Sequence, residues 1–163
     1  MNAHKLFITF LGTGMLPKPR RMATLLAVLI ALPLLQIAGM KTFFMLTFTM
    51  GIISIFEVNK YVRSHPESDY KEITIDNVVG VWISLIITLS TTVTLLFPHT
   101  IWLSIVLSFA SFTLFQVWKP STIGWIAYTF KKGGLGIVLS SMLSGIAGGL
   151  LCVAILMGVE KFF

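Results

Sequence analysis

The sequence predicts an all-α fold, a polytopic helical membrane protein with about five apolar helices in one domain over residues 1–163. Three observations predict it. Of 163 residues, 56% are apolar and 11% charged, with a mean hydropathy of +0.92, whereas a soluble domain carries about 25% charged residues. Several apolar runs approach the roughly 20 residues that a helix needs to cross about 30 Å of hydrocarbon. Lysine and arginine also alternate in abundance from one connecting segment to the next.

The elements follow in chain order. Met1–Leu11 carries an apolar patch, Leu6–Leu11, that is too short to span and suits a short helix on the membrane surface. No small-x-small cleavage signal follows it, which argues against a removed signal peptide. Gly12-Thr-Gly14, Pro17 and Pro19 predict an irregular segment over Gly12–Arg21. The first apolar run, Ala23–Met40, contains Pro33, a kink packed against neighbours. Gly39-Met40-Lys41 suits a tight turn into the second run, Thr42–Phe56, and the 15 residues of that run favour a hairpin with the first. Glu57–Asn77 is the one long hydrophilic segment, with loop composition at Ser64–Asp69. The third run, Val78–Phe97, ends at Pro98-His99. The fourth, Thr100–Trp118, ends at Lys119-Pro120. A second polar patch, Lys119–Gly134, precedes the fifth run, Leu135–Val159. The single cysteine, Cys152, lies inside that last run, so no disulfide framework or cysteine-rich metal site is expected.

Counting basic residues by segment sets the orientation. The amino-terminal segment has Lys5, Lys18, Arg20 and Arg21; the segment after run two has Lys60, Arg63 and Lys71; that after run four has Lys119, Lys131 and Lys132. The alternate segments hold Lys41 and Lys161. Ten against two places the amino terminus in the cytoplasm and the carboxyl terminus outside. The basic excess is thus accounted for by topology and by attraction to anionic headgroups of the bilayer, and no nucleic-acid partner is expected. The same orientation brings Gly12–Arg21, Asp69–Gly80, Gln116–Pro120 and Lys131–Ser141 to one cytoplasmic rim.

Each candidate on that rim has a plain alternative. Asp76-Asn77 opens a helix, where a cap and a dipole partner are as natural as a metal ligand or a phosphate-facing acid. Gly12-Thr13-Gly14 with Arg20-Arg21 suits phosphate, and also suits a turn followed by a positive-inside anchor. Thr113, Gln116 and Lys119 share one helical face; Lys119 either binds an anion or snorkels to headgroups. Ser140-Ser141 lie about two turns into the fifth run, and Ser141, Gly145 and Gly149 form a small-xxx-small stripe that favours close helix packing. His4, His65 and His99 have no evident serine partner for a nucleophilic triad.

Together these stretches resemble phosphatidylglycerophosphatase A, a bacterial membrane lipid phosphatase. The resemblance is carried by Gly12-Thr-Gly14, Pro17, Pro19 and Thr24-Leu25; by Asp69 and Glu72-Ile-Thr-Ile-Asp76-Asn77-Val-Val-Gly80-Val-Trp82-Ile83; by Phe112 and Trp118-Lys119-Pro120; and by Gly133-Gly134-Leu-Gly136-Ile137 and Gly145. It implies magnesium-dependent removal of the terminal phosphate of phosphatidylglycerophosphate, giving phosphatidylglycerol for phospholipid biosynthesis at the cytoplasmic leaflet of the bacterial inner membrane. It also implies Asp76 as the catalytic acid and magnesium ligand, with Lys119, Arg20, Arg21, Thr13, Gly14 and Thr24 around the substrate.

The chain departs from the family pattern. Where the family carries a second acid the chain has Asn77. An arginine and an aspartate of the fourth run are replaced by Thr113 and Gln116, and paired aspartates of the fifth by Ser140 and Ser141; a glycine and a threonine have become Arg20 and Arg21. Magnesium prefers hard anionic oxygens, and phosphoryl transfer needs its spread negative charge neutralised. Two readings therefore stand: an enzyme using magnesium on Asp76, and a non-catalytic protein that binds anionic phospholipid or a partner membrane enzyme on the same fold.

Overall fold

In lipid, every backbone N–H and C=O must be satisfied within its own segment, so unbroken apolar runs become helices. The computed structural model describes residues 2–67, 70–94, 100–129 and 133–162, and among these it contains helices and no strand. The sequence expectations on Asp69, on Pro98-His99 and on Lys131-Lys132 lie outside the described residues. The helices are α1 (Ala3–Ile8), α2 (Pro19–Ser64), α3 (Ile75–Thr94), α4 (Thr100–Trp118), α5 (Ser121–Thr129) and α6 (Gly134–Phe162), with a 3-10 turn at Thr13–Met15. Four of them, α2, α3, α4 and α6, are long and apolar enough to cross a membrane.

The count of four against the expected five reflects α2. Its 46 residues contain Gly39 at φ 80° and ψ 167°, a backbone state outside any helix. Trp82 of α3 donates its indole N–H to the Ala27 carbonyl at 2.9 Å and packs its ring 5.1 Å from that of Phe43. On a straight helix Ala27 and Phe43 would lie about 24 Å apart. The two arms of α2 therefore fold back on each other at Gly39, where the sequence suggested a turn. Pro33 stays within the first arm.

Three boundaries differ from expectation. The irregular segment ends at Pro19, which opens α2, because proline suits the first helical position where no intrahelical N–H is needed. The second arm of α2 runs on through Ser64 instead of ending near Phe56: Val58, Tyr61 and Val62 repeat at helical spacing and are buried, which outweighs the polar residues between them. The polar patch after Lys119 contains the short helix α5.

α3 is the central helix. Its membrane-length window is 72% buried, against 28% for α2 and α4 and 33% for α6. α1 is docked on the same bundle through Ile8, which is fully buried and whose carbonyl accepts from the Thr74 N–H at 3.1 Å. Outward faces carry large exposed apolar side chains, such as Phe44, Phe48 and Phe56 on α2, Trp102 and Val106 on α4, and Leu150 and Met157 on α6, a surface matched to lipid. Lipid tails offer helices no hydrophobic reason to associate, so the seams use close packing and interhelical hydrogen bonds. On the α3–α4 seam, Ser108 donates to Ser84 at 2.8 Å, and the hydroxyls of Thr92 and Ser104 meet at 2.7 Å. On the α3–α6 seam, a Cβ built on Gly145 would sit 2.1 Å from the Gly80 carbonyl oxygen, so the two backbones touch directly.

Two glycine variants separate these effects. Gly145→Ala is expected to lower stability in detergent by about 1–3 kcal/mol through overpacking of the α3–α6 seam. Gly39→Ala has open space around it and is expected to cost a similar 1–3 kcal/mol through backbone strain alone. Thermal unfolding midpoints check both, and an unchanged midpoint would remove the corresponding role.

Candidate functional site

The Gly80–Gly145 contact sets the geometry of the site. It brings the first turn of α3, with Asp76 and Asn77, against the second turn of α6. The Ser141 hydroxyl donates to Asp76 Oδ2 at 2.6 Å. From the last turn of α4, Gln116 reaches across and its Nε2 donates to Ser141 Oγ at 2.9 Å and to Asn77 Oδ1 at 2.8 Å. Three helices are joined by four side chains, and Asp76, Asn77 and Ser141 are almost fully buried.

The directions within this chain follow from its acceptor end. A carboxylate only accepts, so the Ser141 proton goes to Asp76. Ser141 can then only accept from Gln116, which presents its NH₂ group; the second N–H of that group fixes Asn77 with its oxygen inward. Among the described residues, three buried side-chain atoms remain without a partner: Asp76 Oδ1, Asn77 Nδ2 and Gln116 Oε1. Buried polar atoms are usually satisfied, and each exception calls for a cause.

Asn77 and Gln116 also line a cavity of about 460 Å³. Its other walls carry Lys18, Arg20 and Arg21 at the start of α2, Lys71 from the segment before α3, and Lys119 at the end of α4, with Phe112 and Val117 as an apolar flank. Five cationic side chains from three separate stretches share the lining, and no carboxylate joins them among the described residues. Lys119 titrates below its ordinary value: partial burial penalises its charge and the nearby Arg20 guanidinium repels it, against a weaker pull from the Asp76 carboxylate. Lys18 and Lys119 both sit at helix ends with positive φ, 62° and 45°. Side chains other than glycine resist that conformation, and it recurs where a site imposes it. The α2 amino terminus adds backbone N–H groups and the positive end of a helix dipole.

The family profile of phosphatidylglycerophosphatase A matches residues 6–156. The chain belongs to the phosphatidylglycerophosphatase A family. No characterised protein and no solved structure matches it in the other comparisons. It is a membrane protein with a phosphatidylglycerophosphatase-like function, as the family and the apolar helices together support.

The structure distributes the expected site residues of this phosphatidylglycerophosphatase A chain unevenly. Arg20, Arg21, Thr24, Lys119, Asn77, Thr113 and Gln116 come together on the cavity. Thr24 and Thr113 donate to their own helix backbones, at Arg20 O (2.7 Å) and Phe109 O (2.8 Å). Asp76 is not among the residues lining the cavity; its side chain accepts from Ser141 of α6 and also interacts with the Asn77 backbone N–H at the start of its own helix. Ser141 is in the network, whereas Ser140 donates to the Ile137 carbonyl at 2.9 Å. Thr13 and Gly14 fall outside the cavity lining. Thr13 donates to Thr9 O at 2.8 Å and meets the Thr74 hydroxyl at 3.3 Å, and a Cβ on Gly14 would strike the Glu72 carbonyl oxygen at 2.2 Å. Both tie the amino-terminal turn to the segment before α3. Lys18 and Lys71 were not singled out in the sequence, although Lys18, between two prolines, carried a signal.

Magnesium, which the family implies, finds a poor donor set. It asks for near-octahedral hard oxygens and commonly for one or two carboxylates. The described residues hold no group of three or more His, Cys, Asp or Glu side chains suited to a metal. Asp76 is engaged by Ser141, and Glu57 is paired with His4 at the α1–α2 contact. The described residues do not fit a resident magnesium ion.

Lys119 supplies a pH signature. Its pKa is lowered in the folded protein, so the fold binds fewer protons there than the unfolded chain, and the stability of the ligand-free protein rises as pH climbs through the folded value. Anion affinity moves oppositely, being retained below that value and lost above it. Lys119→Gly keeps the positive-φ turn without strain and is expected to lose anion affinity by about tenfold while preserving the fold. Phosphate-probe titrations as a function of pH check this, and the variant should lack the wild-type decline.

Proposed function

We propose that this chain is a phosphatidylglycerophosphatase A-like protein of the bacterial inner membrane, crossing it five times with its amino terminus inside, whose cavity takes the phosphorylated headgroup of phosphatidylglycerophosphate at the cytoplasmic face. The observation that carries the proposal is the cavity itself: Lys18, Arg20, Arg21, Lys71 and Lys119 surround it and the Asn77 amide is part of its wall. Guanidinium and ammonium groups with a helix amino terminus match a phosphomonoester, which bears more charge than the diester of the product lipid. The membrane orientation rests on the ten-to-two distribution of basic residues, which favours the same end of the bundle as the cytoplasmic one.

Turnover is a second reading, favoured by one feature, the unpartnered Oδ1 of Asp76. In it, a water oxygen adds to the terminal phosphorus as Asp76 takes its proton. The ester P–O bond breaks with its electron pair on the glycerol oxygen, which receives the proton that Asp76 took from the water, and Arg20 and Lys119 balance the charge of the transferred phosphoryl group.

The test uses the full chain in detergent. Phosphatidylglycerophosphate is expected to bind at least about tenfold more tightly than phosphatidylglycerol, and Arg20→Ala to remove most of that preference. Equal binding of the two lipids would overturn the headgroup reading. Phosphate release that Asp76→Asn abolishes would establish turnover, and capture without release would leave binding as the function.

A further inference from the structure

Resting on the headgroup reading above, we infer that this cavity holds its phosphomonoester without a divalent cation, and that the side-chain amide of Asn77 is the fixed donor to a phosphate oxygen. The hydrogen-bond directions carry it. Ser141 gives its proton to Asp76, Gln116 gives one to Ser141 and one to Asn77 Oδ1. What remains of Asn77 is an NH₂ group with no partner, on a side chain that is 1% exposed and part of the cavity wall. A pair of N–H donors repels a metal cation and suits an anionic oxygen.

The surrounding charge agrees. A cation entering the cavity would meet Arg20, Arg21, Lys18 and Lys119 with no carboxylate among the described lining residues. The nearest described acid, Asp76, already shares Oδ2 with Ser141 and faces the charges of Arg20 and Lys119. A phosphate, in contrast, relieves the mutual repulsion of Arg20 and Lys119, which together with the larger effect of burial disfavours the charge on Lys119. Asn77 also lies in the first turn of α3, where the helix dipole adds to its attraction for an anion. Gln116, pinned at two points, keeps that amide from turning over.

The experiment measures binding of short-chain phosphatidic acid and, separately, inorganic phosphate to the full chain in detergent, each with excess EDTA and with magnesium. Wild-type affinity is expected to agree within about twofold between the two conditions, well inside the tenfold that 1.4 kcal/mol represents. Phosphatidic acid binding more tightly than inorganic phosphate identifies a lipid headgroup as the ligand source; equal affinity identifies the phosphate group alone. Asn77→Asp replaces the donor by a second carboxylate beside Asp76 and is expected to lose at least about tenfold in EDTA and to regain part of that with magnesium. Wild-type binding that collapses in EDTA would overturn this inference while leaving the headgroup reading intact. No binding of either probe in either condition would overturn the headgroup reading and this inference together. The wild-type comparison decides even where Asn77→Asp fails to fold.

Discussion

The α3–α6 contact at Gly80 and Gly145 is the constraint on which the rest of the site depends. Helices surrounded by lipid gain nothing by hiding apolar surface from water, so their register has to come from shape and from polar links. Glycine against glycine lets two backbones meet where any side chain would hold them apart. That approach brings the Ser141 hydroxyl within reach of Asp76, and Gln116 then closes the link to α4. Polar side chains that a membrane helix cannot leave unpaired thus become the pins that hold three helices in register.

A buried carboxylate held by a hydroxyl and, beyond it, two amides is an uncommon compromise. Neutral partners offset only part of the cost of taking a charge out of water. Arg20 and Lys119, whose charges act on Asp76 from across the cavity wall, offset a further part of that cost. The acid and the cations are therefore coupled across the cavity wall, without a direct salt bridge between them among the described residues. This arrangement gives the chain a cationic cavity backed by one buried acid, a different balance of charge from one built on several carboxylates around a metal.

The amino-terminal segment supports the site from outside. Ile8, Thr13 and Gly14 lock the first turns of the chain to Glu72 and Thr74 just before α3. Lys5 pairs with Glu72 at 3.4 Å across the same junction. This fastening fixes where α3 begins and hence where Asp76 and Asn77 lie along the bundle. The glycine turn thus shapes the site through the backbone of α3 and not through contact with the cavity.

The sequence by itself determined the helical class, the long apolar segments, the turn at Gly39 and the gathering of basic groups toward one end. All of these are properties of composition and spacing along the chain. Ser141, Gly145 and Gly149 were also legible as a packing stripe, because small residues every fourth position mark a helix face. The second arm of α2 was readable only in part: buried Val58, Tyr61 and Val62 kept helical spacing beneath a polar composition. Tertiary structure alone decided that Ser141 and not its neighbour Ser140 faces Asp76, since adjacent residues on a helix point about 100° apart. It alone decided that Thr13 and Gly14 brace the fold while Lys18 and Lys71 line the cavity. It also decided which end of each amide faces outward, because the direction of a hydrogen-bond chain depends on every partner in it, and those partners come from three helices far apart in sequence.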